Sequence, residues 1–392
     1  MRNWVLTPRI WMKLAAIALS FMIPLVVTTF FLVEEQNIKI DFAEQELRGD
    51  KYLQPLSQLL VHLEGHRALV RQGDTAQAGR TEALIDEDFT ALLAVDRELS
   101  KSLQTTGAAL NSRRRGAAIP ARLQASWETV KLAGDVAASE RLHLALIKDV
   151  RLLITHVGDS SKLILDPDLD TYYIMDALLL REPEIVGELG DLNRLVETVA
   201  AGAKGTEGVA QLAASAALLD FQVAGLQTDL ETAFAETPKL NKNEDLEPAL
   251  SPLMARALSS SKAVVDLTNI DADPAAHGSA VREAIDAHNA LWSELFKQED
   301  SMLESRKAGD LGRRRFALTT VFLVVVAAAA LTLWVARRIS RNVGEVKDAA
   351  GHLAAGDLGS RATVRSRDEV GAMATSFNGM AESLGTLVGQ VI

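Results

Sequence analysis

The chain has 392 residues, 24% of them charged, and a formal net charge of −11. It contains no cysteine, which excludes disulfides, thiolate metal sites, haem attachment through thioethers and cysteine nucleophiles. The charge is spread along the chain without a basic tract, so we expect no nucleic-acid partner. Aromatic residues make up only 5% while alanine and leucine abound, a composition that favours packed helices over β-sheets.

Two apolar runs, at 14–33 and 316–336, carry no charged residue. Because a helix rises about 1.5 Å per residue, each run can cross the roughly 30 Å hydrocarbon core of a bilayer. We predict that both are transmembrane helices in contact with membrane lipid. For the first run the alternative is a cleaved signal peptide, but the run exceeds a typical signal segment and no small-x-small cleavage site follows it.

Flanking basic residues predict the orientation of the two spans. Lys13 lies directly before the first span and Arg337 directly after the second. The further basic residues are Arg2 and Arg9 on the first side, and Arg338 and Arg341 on the second. We therefore expect a multi-pass protein of the inner membrane, with a cytoplasmic N-terminus at 1–13 and a periplasmic region at 34–315. The arginines at 313–315, on the predicted outer side, oppose this assignment.

The region 34–315 is predicted to be a helical ligand-binding domain. Its apolar residues recur in steps of three and four, most clearly from Val209 to Ala233 and again from Val281 to Leu295. No segment alternates with period two, so the predicted fold class is all-α. The length of this region exceeds that of a simple four-helix sensor, and we expect an elongated periplasmic bundle or two stacked bundles that share long helices.

Arg67 follows the apolar seam of the first external helix, between Leu63 and Val70. A buried guanidinium needs an anion, an acidic partner or an edge of the bundle. The sequence leaves two interpretations open: a bidentate clamp for a ligand carboxylate or phosphate, or an arginine that reaches solvent or pairs with an internal Asp or Glu. On the first interpretation Arg67 and Arg71 are candidate ligand-binding residues for a small, anionic molecule.

A second candidate segment covers residues 165–173. Pro167 disfavours helical geometry at Asp166, so we expect one helix to end there and Asp166 to cap the next. Capping does not account for adjacent tyrosines in a chain with 3 Tyr. We expect a pocket wall on a helix that faces Arg67, the alternative being that the tyrosines pack in the core. The candidate ligand-binding residues here are Asp170, Tyr172, Tyr173 and Asp176.

His66-Arg67 together with the run at 166–173 resembles a helical sensor type of bacterial chemoreceptors and sensor kinases, with Ala68 where that motif has glycine. The resemblance implies sensing of a small ligand. His62 and His66 also have a spacing found in metal and haem sites, but two histidines do not define a site, and we expect no cofactor and no metal. No hydrolase, P-loop, metalloprotease, kinase or cyclase motif is present, so the sequence predicts no enzyme.

Two heptad runs follow the second apolar segment, one from Ile339 to Leu353 and one from Val370 to Leu387. Between and within them stand Gly356, Asp357 and Leu358, then Asp368, Glu369 and Gly371, and finally Phe377, Asn378 and Met380. This arrangement resembles the HAMP linker of bacterial transmembrane receptors, and we assign it to 337–389. Gly356 suits a helix exit, and the carboxylates of Asp368 and Glu369 suit a helix start. The proline common near the first HAMP helix is replaced by Asn342.

Two short helices cannot bury both seams, so a parallel homodimer is expected. The resemblance implies the sensor, membrane and HAMP portion of a methyl-accepting chemotaxis receptor. We expect residues 390–392 to begin a missing output domain that acts on a cytoplasmic histidine kinase through a coupling protein. The alternatives are the sensory part of a sensor histidine kinase or diguanylate cyclase, and a complete membrane protein whose HAMP coil pairs with a partner.

Overall fold

The computed structural model describes residues 10–202, 205–364 and 366–391. Arg2 and Arg9, which entered the predicted orientation, and Ile392, in the predicted output segment, lie outside the described residues. The chain divides into two compact units. One is Ile38–Asp310, which we call the sensor unit after its predicted role, and the other combines Met1–Asn37 with Leu311–Ile392, which we call the membrane-HAMP unit after its predicted segments.

The structure is 86% helical, and no strand occurs among the described residues, which confirms the all-α prediction. The helices are α1 (Ile10–Gln72), α2 (Thr75–Leu99), α3 (Gly107–Ser112), α4 (Pro120–Lys131), α5 (Val136–Ser161), α6 (Leu169–Asp176), α7 (Glu182–Ala200), α8 (Thr206–Glu236), α9 (Leu246–Leu267), α10 (Pro274–Ala354) and α11 (Glu369–Val391). Short 3₁₀ turns cover Gly116–Ala118 and Leu163–Leu165, and a π-helical turn covers Ala177–Arg181.

Three of the described helices are long and apolar enough to cross a membrane: α1, α8 and α10. The most apolar windows of α1 and α10 have mean hydropathies of 2.4 and 2.5 and bury none of their residues, whereas that of α8 has 1.4 and buries 22%. Leu219, Leu226 and Leu230 of α8 are fully buried in the core of the sensor unit. Part of the apolar surface of α8 is therefore used in helix packing.

Polar contacts fix the register of the helices in the sensor unit. α5 and α10 run antiparallel to α1, and α7 runs parallel to it, all along the same stretch of α1. The pairs that show this are Gln45–Ser160 and His66–His143 for α5, Gln54–Asp300 and Gln58–Asn289 for α10, and Arg67–Asp191 and Arg71–Glu197 for α7. α8 and α9 then pair with α7 and α10 at matching levels, through Ser215–Glu188 and Ser261–His288. These six helices thus lie side by side at matching levels, and the arrangement in two stacked bundles stays a prediction.

A single apolar core joins these helices, with Trp127, Trp292 and Phe89 among its largest buried side chains. Burying each large apolar side chain contributes roughly 1.5–3 kcal/mol relative to exposure. Leu189, Leu192 and their neighbours on α7 recur once per helical turn and point into this core. The same recurrence made the apolar faces of α7 and α8 identifiable in the sequence.

Candidate ligand site and signalling segment

Arg67 lies at the centre of an ion cluster between α1, α5 and α7, and its side chain is only 1% exposed. Nη1 donates to Oε2 of Glu64 at 2.9 Å, one helical turn earlier. Nε and Nη2 donate to Oε1 of Glu140 at 3.0 and 2.7 Å, and Nη2 also donates to Oδ1 of Asp191 at 2.6 Å. Each guanidinium nitrogen therefore has a carboxylate partner, which is the internal pairing that the sequence left as an alternative to the ligand clamp.

Burial and charge act in opposite directions in this cluster. Burial raises the pKa of Glu64 to about 7, although the nearby guanidinium of Arg67 holds it down. Burial also raises the pKa of Glu140, but hydrogen bonds and charges from Arg67 and Arg71 outweigh it and leave that pKa below its ordinary value. The pKa of Arg67 is raised, because the three carboxylates outweigh the desolvation of its charge. Arg67 is thus a fixed cation that opposes the effect of burial on the pKa of both Glu64 and Glu140.

The backbone of α7 approaches this cluster at Gly190. A Cβ atom at that position would collide with Oε2 of Glu64 and would lie 3.5 Å from Nη1 of Arg67. Glycine is therefore needed for α7 to pack against the ion pair. A cavity of about 240 Å³ opens beside the same groups and is also lined by Lys148, Arg151 and Gly187.

Arg71 lies one turn beyond Arg67 and is the better candidate for contact with a ligand. Nε donates to Oε2 of Glu197 at 2.8 Å and Nη1 to Oε2 of Glu140 at 3.3 Å. Nη2 is buried and has no hydrogen-bond partner. Arg71 lines an open cavity of about 570 Å³ at the ends of α1 and α7 and the start of α10, together with Gln72, Glu197 and Arg282. A buried N–H without a partner costs about 1–3 kcal/mol, so the hydrogen bonding of Arg71 is incomplete in this structure.

The structure does not bring the segment at 165–173 to Arg67. Asp166 binds Nη2 of Arg306 through both oxygens, at 3.0 and 3.1 Å, and Nη1 of Arg306 contacts Glu46 at 3.3 Å. Glu46 and Arg67 are both on α1, separated by about 30 Å at roughly 1.5 Å per residue. The expectation that this segment faces Arg67 is therefore wrong. The predicted cap is also displaced, because α6 begins at Leu169 with Asp168 as its N-terminal flanking residue.

The other candidate residues of α6 have partners of their own. The carboxylate of Asp170 is fully buried and accepts from Nδ2 of Asn241 at 2.9 Å. Asp176 accepts from Nε of Arg181 at 3.2 Å, at the π-helical turn. The rings of Tyr172 and Tyr173 meet edge to face with centroids 5.4 Å apart, Tyr172 being 36% exposed and Tyr173 packed against the core. These groups brace α6, and their role in ligand binding remains a prediction.

His62 and His66 contact different residues. Nδ1 of His62 lies 2.6 Å from Oδ2 of Asp88, while Nδ1 of His66 lies 2.7 Å from Nε2 of His143. Burial lowers the pKa of His66 and lowers that of His143 to about 4, so this pair is neutral near pH 7. The described residues contain no group of three His, Cys, Asp or Glu placed to hold a metal ion.

A buried Ser–His–Glu chain joins three helices and was not recognised in the sequence. Oγ of Ser261 on α9 is 2.8 Å from Nε2 of His288 on α10, and Nδ1 of His288 is 2.9 Å from Oε2 of Glu182 on α7. The order of groups matches a nucleophile, a base and an orienting acid. All three side chains are at most 1% exposed, however, and a substrate would have no access to the serine. These hydrogen bonds link α7, α9 and α10 through buried polar side chains.

In the membrane-HAMP unit, α10 ends at Ala354 and Gly356 follows with φ +99°, a left-handed conformation that glycine adopts without strain. α11 begins at Glu369, and the carboxylate of Asp368 accepts from the backbone N–H groups of Val370 and Gly371 at 3.1 and 3.2 Å. A hydrogen bond with the Ser366 side chain, followed by these backbone hydrogen bonds, lowers the pKa of Asp368. A Cβ at Gly371 would collide with the Ser366 carbonyl, which explains the glycine.

The side chain of Asn378 fixes the connector between α10 and α11 through two hydrogen bonds. Oδ1 of Asn378 accepts from the backbone N–H of Ala362 at 2.8 Å, and its Nδ2 donates to the carbonyl of Ala362 at 3.0 Å. A small core beside it contains Val346, Ala349, Ala362, Ala374 and Phe377. Leu358 is half-buried. Asn378 and Phe377 thus hold the connector from two sides, one by hydrogen bonds and one by packing.

Much of the heptad seam remains on the surface of the single chain. Met373, Met380, Leu384 and Leu387 of α11 are 40–60% exposed, whereas Ala374, Phe377 and Ala381 are buried within the chain. The exposed positions are seven, four and three residues apart and belong to the heptad seam that the sequence showed, in which Phe377 is the buried member. One copy of the chain therefore leaves a continuous apolar stripe along α11.

The chain is similar to a domain family, to a curated protein and to a solved structure. Residues 334–386 match the HAMP domain family. A segment of 67 residues, 17% of the chain, is 34% identical to a protein of Acetivibrio thermocellus named "Putative sensory transducer protein" and covers 12% of that relative's length. Among solved structures, the NasR transcription antiterminator is similar with a TM-score of 0.46 and 15% identity, over 94% of this chain and 99% of that chain. The predicted resemblance to a HAMP-containing transducer is confirmed.

Proposed function

We propose that the chain is the sensory, membrane and HAMP portion of a chemoreceptor-type signal transducer. The observation that carries this proposal is the HAMP domain at residues 334–386, continuous through α10 with a charge-free apolar run and with the sensor unit. A HAMP linker transmits a signal from an input domain to an output domain, so it implies that both exist. The helical sensor unit supplies a candidate input, and its buried network offers no accessible catalytic group, which favours a receptor over an enzyme.

The ligand in this proposal is a small anion bound at the 570 Å³ cavity. Arg71 supports it with a buried Nη2 that lacks a partner, and Arg282 adds a second guanidinium at the rim. Arg67 acts indirectly: it shares Glu140 with Arg71 and fixes the position of that carboxylate. The ligand can shift the signalling equilibrium only by its difference in affinity for two arrangements of these helices.

The membrane topology in this proposal has two spans, at 14–33 and 316–336, in the inner membrane with the sensor unit in the periplasm. The two windows of α1 and α10 that bury no residue support these spans. α8 stays outside the membrane, because its leucines are used in the core of the sensor unit. Trp334 supports the end of the second span, since tryptophan favours the membrane interface and Arg338 lies over its ring at 5.5 Å.

The assembly in this proposal is a parallel homodimer. The exposed stripe of Met373, Met380, Leu384 and Leu387 supports it, because a second copy with the same stripe would complete a four-helix coiled coil. The output in a chemoreceptor would act on a histidine kinase through a coupling protein. The match covers 12% of the length of the relative named a sensory transducer, so the action on a histidine kinase is a proposal for this chain and does not follow from that match.

The ligand site is tested by calorimetric titration of the full chain in lipid nanodiscs with inorganic phosphate, acetate and succinate. We expect at least one of these anions to bind, and Arg71→Gln to weaken binding by about tenfold or more, since a charge-assisted hydrogen bond contributes roughly 1.5–3 kcal/mol. Arg80→Gln, an exposed arginine of α2, is the matched control and should bind as the wild type does. Equal affinity of Arg71→Gln and wild type would refute the site.

A further inference from the structure

Asp50 of α1 and Glu299 of α10 are fully buried, and none of their four carboxyl oxygens has a hydrogen-bond partner. Oε1 of Glu46, also fully buried, is unpartnered as well. Buried polar groups in proteins are almost always satisfied, so a set of orphaned carboxyl oxygens in one place requires a physical cause. We look for this cause in a group that the carboxyl oxygens bind and that the neighbouring side chains do not supply.

The surroundings of this pair are strongly acidic. The charged groups that face it are Glu46 from α1, Asp166 and Asp168 from the segment before α6, and Asp300 and Arg306 from α10, with Glu304 next to Asp300. Arg306 is the cation among them. It contacts Glu46, Asp166 and Asp168, the last at 3.0 Å from Nε in a geometry unsuited to a hydrogen bond. Gln54 donates to Asp300 at 3.1 Å.

One guanidinium cannot neutralise this many carboxylates away from water. An ionised carboxylate without a partner in the interior costs several kcal/mol, and the usual response is protonation. A protonated carboxyl group gains a donor, so an acid facing an acid can form the hydrogen bond that two carboxylates cannot. No group of three acidic or histidine side chains in the described part of the chain is placed to hold a metal ion, which favours protons over a cation.

We propose that Asp50 and Glu299 form a proton-binding site that links α1 to α10 and makes the packing of these two helices depend on pH. When the site is protonated, Asp50 and Glu299 carry no buried charge and α1 and α10 stay in contact. When the proton leaves, two buried negative charges repel each other across the same contact, and the helices separate or admit water. α1 and α10 are the helices that carry the candidate membrane spans. This inference does not depend on the anion site.

Titration in the neighbourhood agrees with the geometry. Burial raises the pKa of both Asp50 and Glu299 well above their ordinary values, and each is raised further by the surrounding carboxylates. Burial raises the pKa of Glu46 to about 9, despite Arg306, and that of Asp300 to about 6. The folded-state pKa of each of these carboxyl groups exceeds its unfolded value, so the stability from bound protons is complete below about pH 4, and the part that Glu46 contributes is lost as pH rises through about 9.

The absence of cysteine in the chain allows a direct test by paired spin labels. Asp41→Cys on α1 and Ser305→Cys on α10 place labels at exposed positions of the sensor unit. The labelled full chain is diluted into unlabelled chain in nanodiscs, so that distances within one copy are measured at pH 5, 7 and 9. We expect the distribution to broaden or lengthen as pH rises. Asp50→Asn with Glu299→Gln should show the pH 5 distribution throughout, while the exposed control Glu87→Gln should respond as the wild type does.

Infrared spectroscopy of the unlabelled wild type is a second measurement that needs no stable variant. We expect a band of protonated carboxyl groups to persist at pH 7 and to disappear at higher pH, and Asp50→Asn to reduce it. The absence of this band at pH 7 would overturn the proposal, as would a distance distribution without pH dependence. A distance change that follows the concentration of K⁺, Mg²⁺ or Ca²⁺ at fixed pH would identify a cation site and also overturn it.

Discussion

Replacing Arg67 by methionine should destabilise the sensor unit by an amount that can be worked out from its contacts. The guanidinium is 1% exposed and serves Glu64, Glu140 and Asp191. Removing one partner of a buried ion pair costs about 3–5 kcal/mol, because a charge is left buried without compensation. Glu64 bears most of this cost, being fully buried, whereas Glu140 can still contact Arg71 through its other oxygen.

The effect of Arg67→Met should depend on pH. Burial already raises the pKa of Glu64 to about 7 with Arg67 present, so this carboxyl destabilises the folded state increasingly as pH rises from about 4 to 7. The penalty corresponds to roughly 3 kcal/mol at 1.36 kcal/mol per pKa unit. Without the guanidinium the pKa of Glu64 rises further. The variant should therefore lose more stability at pH 8 than at pH 5.

The assay is thermal unfolding of the full chain in detergent, followed by circular dichroism at pH 5 and pH 8. The double variant Arg67→Met/Glu64→Gln should recover part of the loss, since the orphaned charge is removed together with its partner. Arg80→Met on exposed α2 is the matched control and should unfold as the wild type does. An equal loss at both pH values, or no recovery in the double variant, would show that Glu64 is not the group that Arg67 keeps ionised.

Three further predictions concern packing. Gly190→Ala should destabilise the sensor unit by about 1–3 kcal/mol, because its Cβ collides with Glu64; a thermal melt measures this, and an unchanged midpoint contradicts the close approach of α7. Asn378→Ala should raise hydrogen exchange at the connector by removing two hydrogen bonds to Ala362, worth about 1–2 kcal/mol together, and protection equal to wild type would refute it. Met380→Glu should weaken dimerisation in sedimentation experiments, since it places a charge in the exposed stripe, whereas an unaltered dimer would place the interface elsewhere.

Local features were predictable from the sequence because their causes are local. Gly356 and Asp368 mark the end and the start of helices through backbone conformation and capping, which involve only neighbouring residues. The regular seam of α8 likewise needs only the helical period. The position of Arg67 in the core followed from the same spacing.

Partners across helices were not predictable in this way. Arg67 meets Glu140 and Asp191 from 73 and 124 residues away, and the register of three helices decides which acid it finds. Asp166 was expected to cap a helix, but α6 starts three residues later; its Oδ1 accepts from the backbone N–H of Asp168 at 2.9 Å, and Arg306 also binds it from 140 residues away. The local hydrogen bond followed from the sequence, and the distant arginine did not.

The most direct test of the account is the distance between HAMP segments of two copies, with and without ligand at the sensor unit. Ser383→Cys on exposed α11 provides a unique label in the full chain reconstituted in nanodiscs. The account predicts one defined distance between copies, as expected for a parallel dimer, and a change in that distance when the anion found by calorimetry is added. Arg71→Gln should abolish the change and keep the dimer. A monomer, or a dimer whose distance is the same with saturating anion, would contradict the claim that this chain transmits a ligand signal through HAMP.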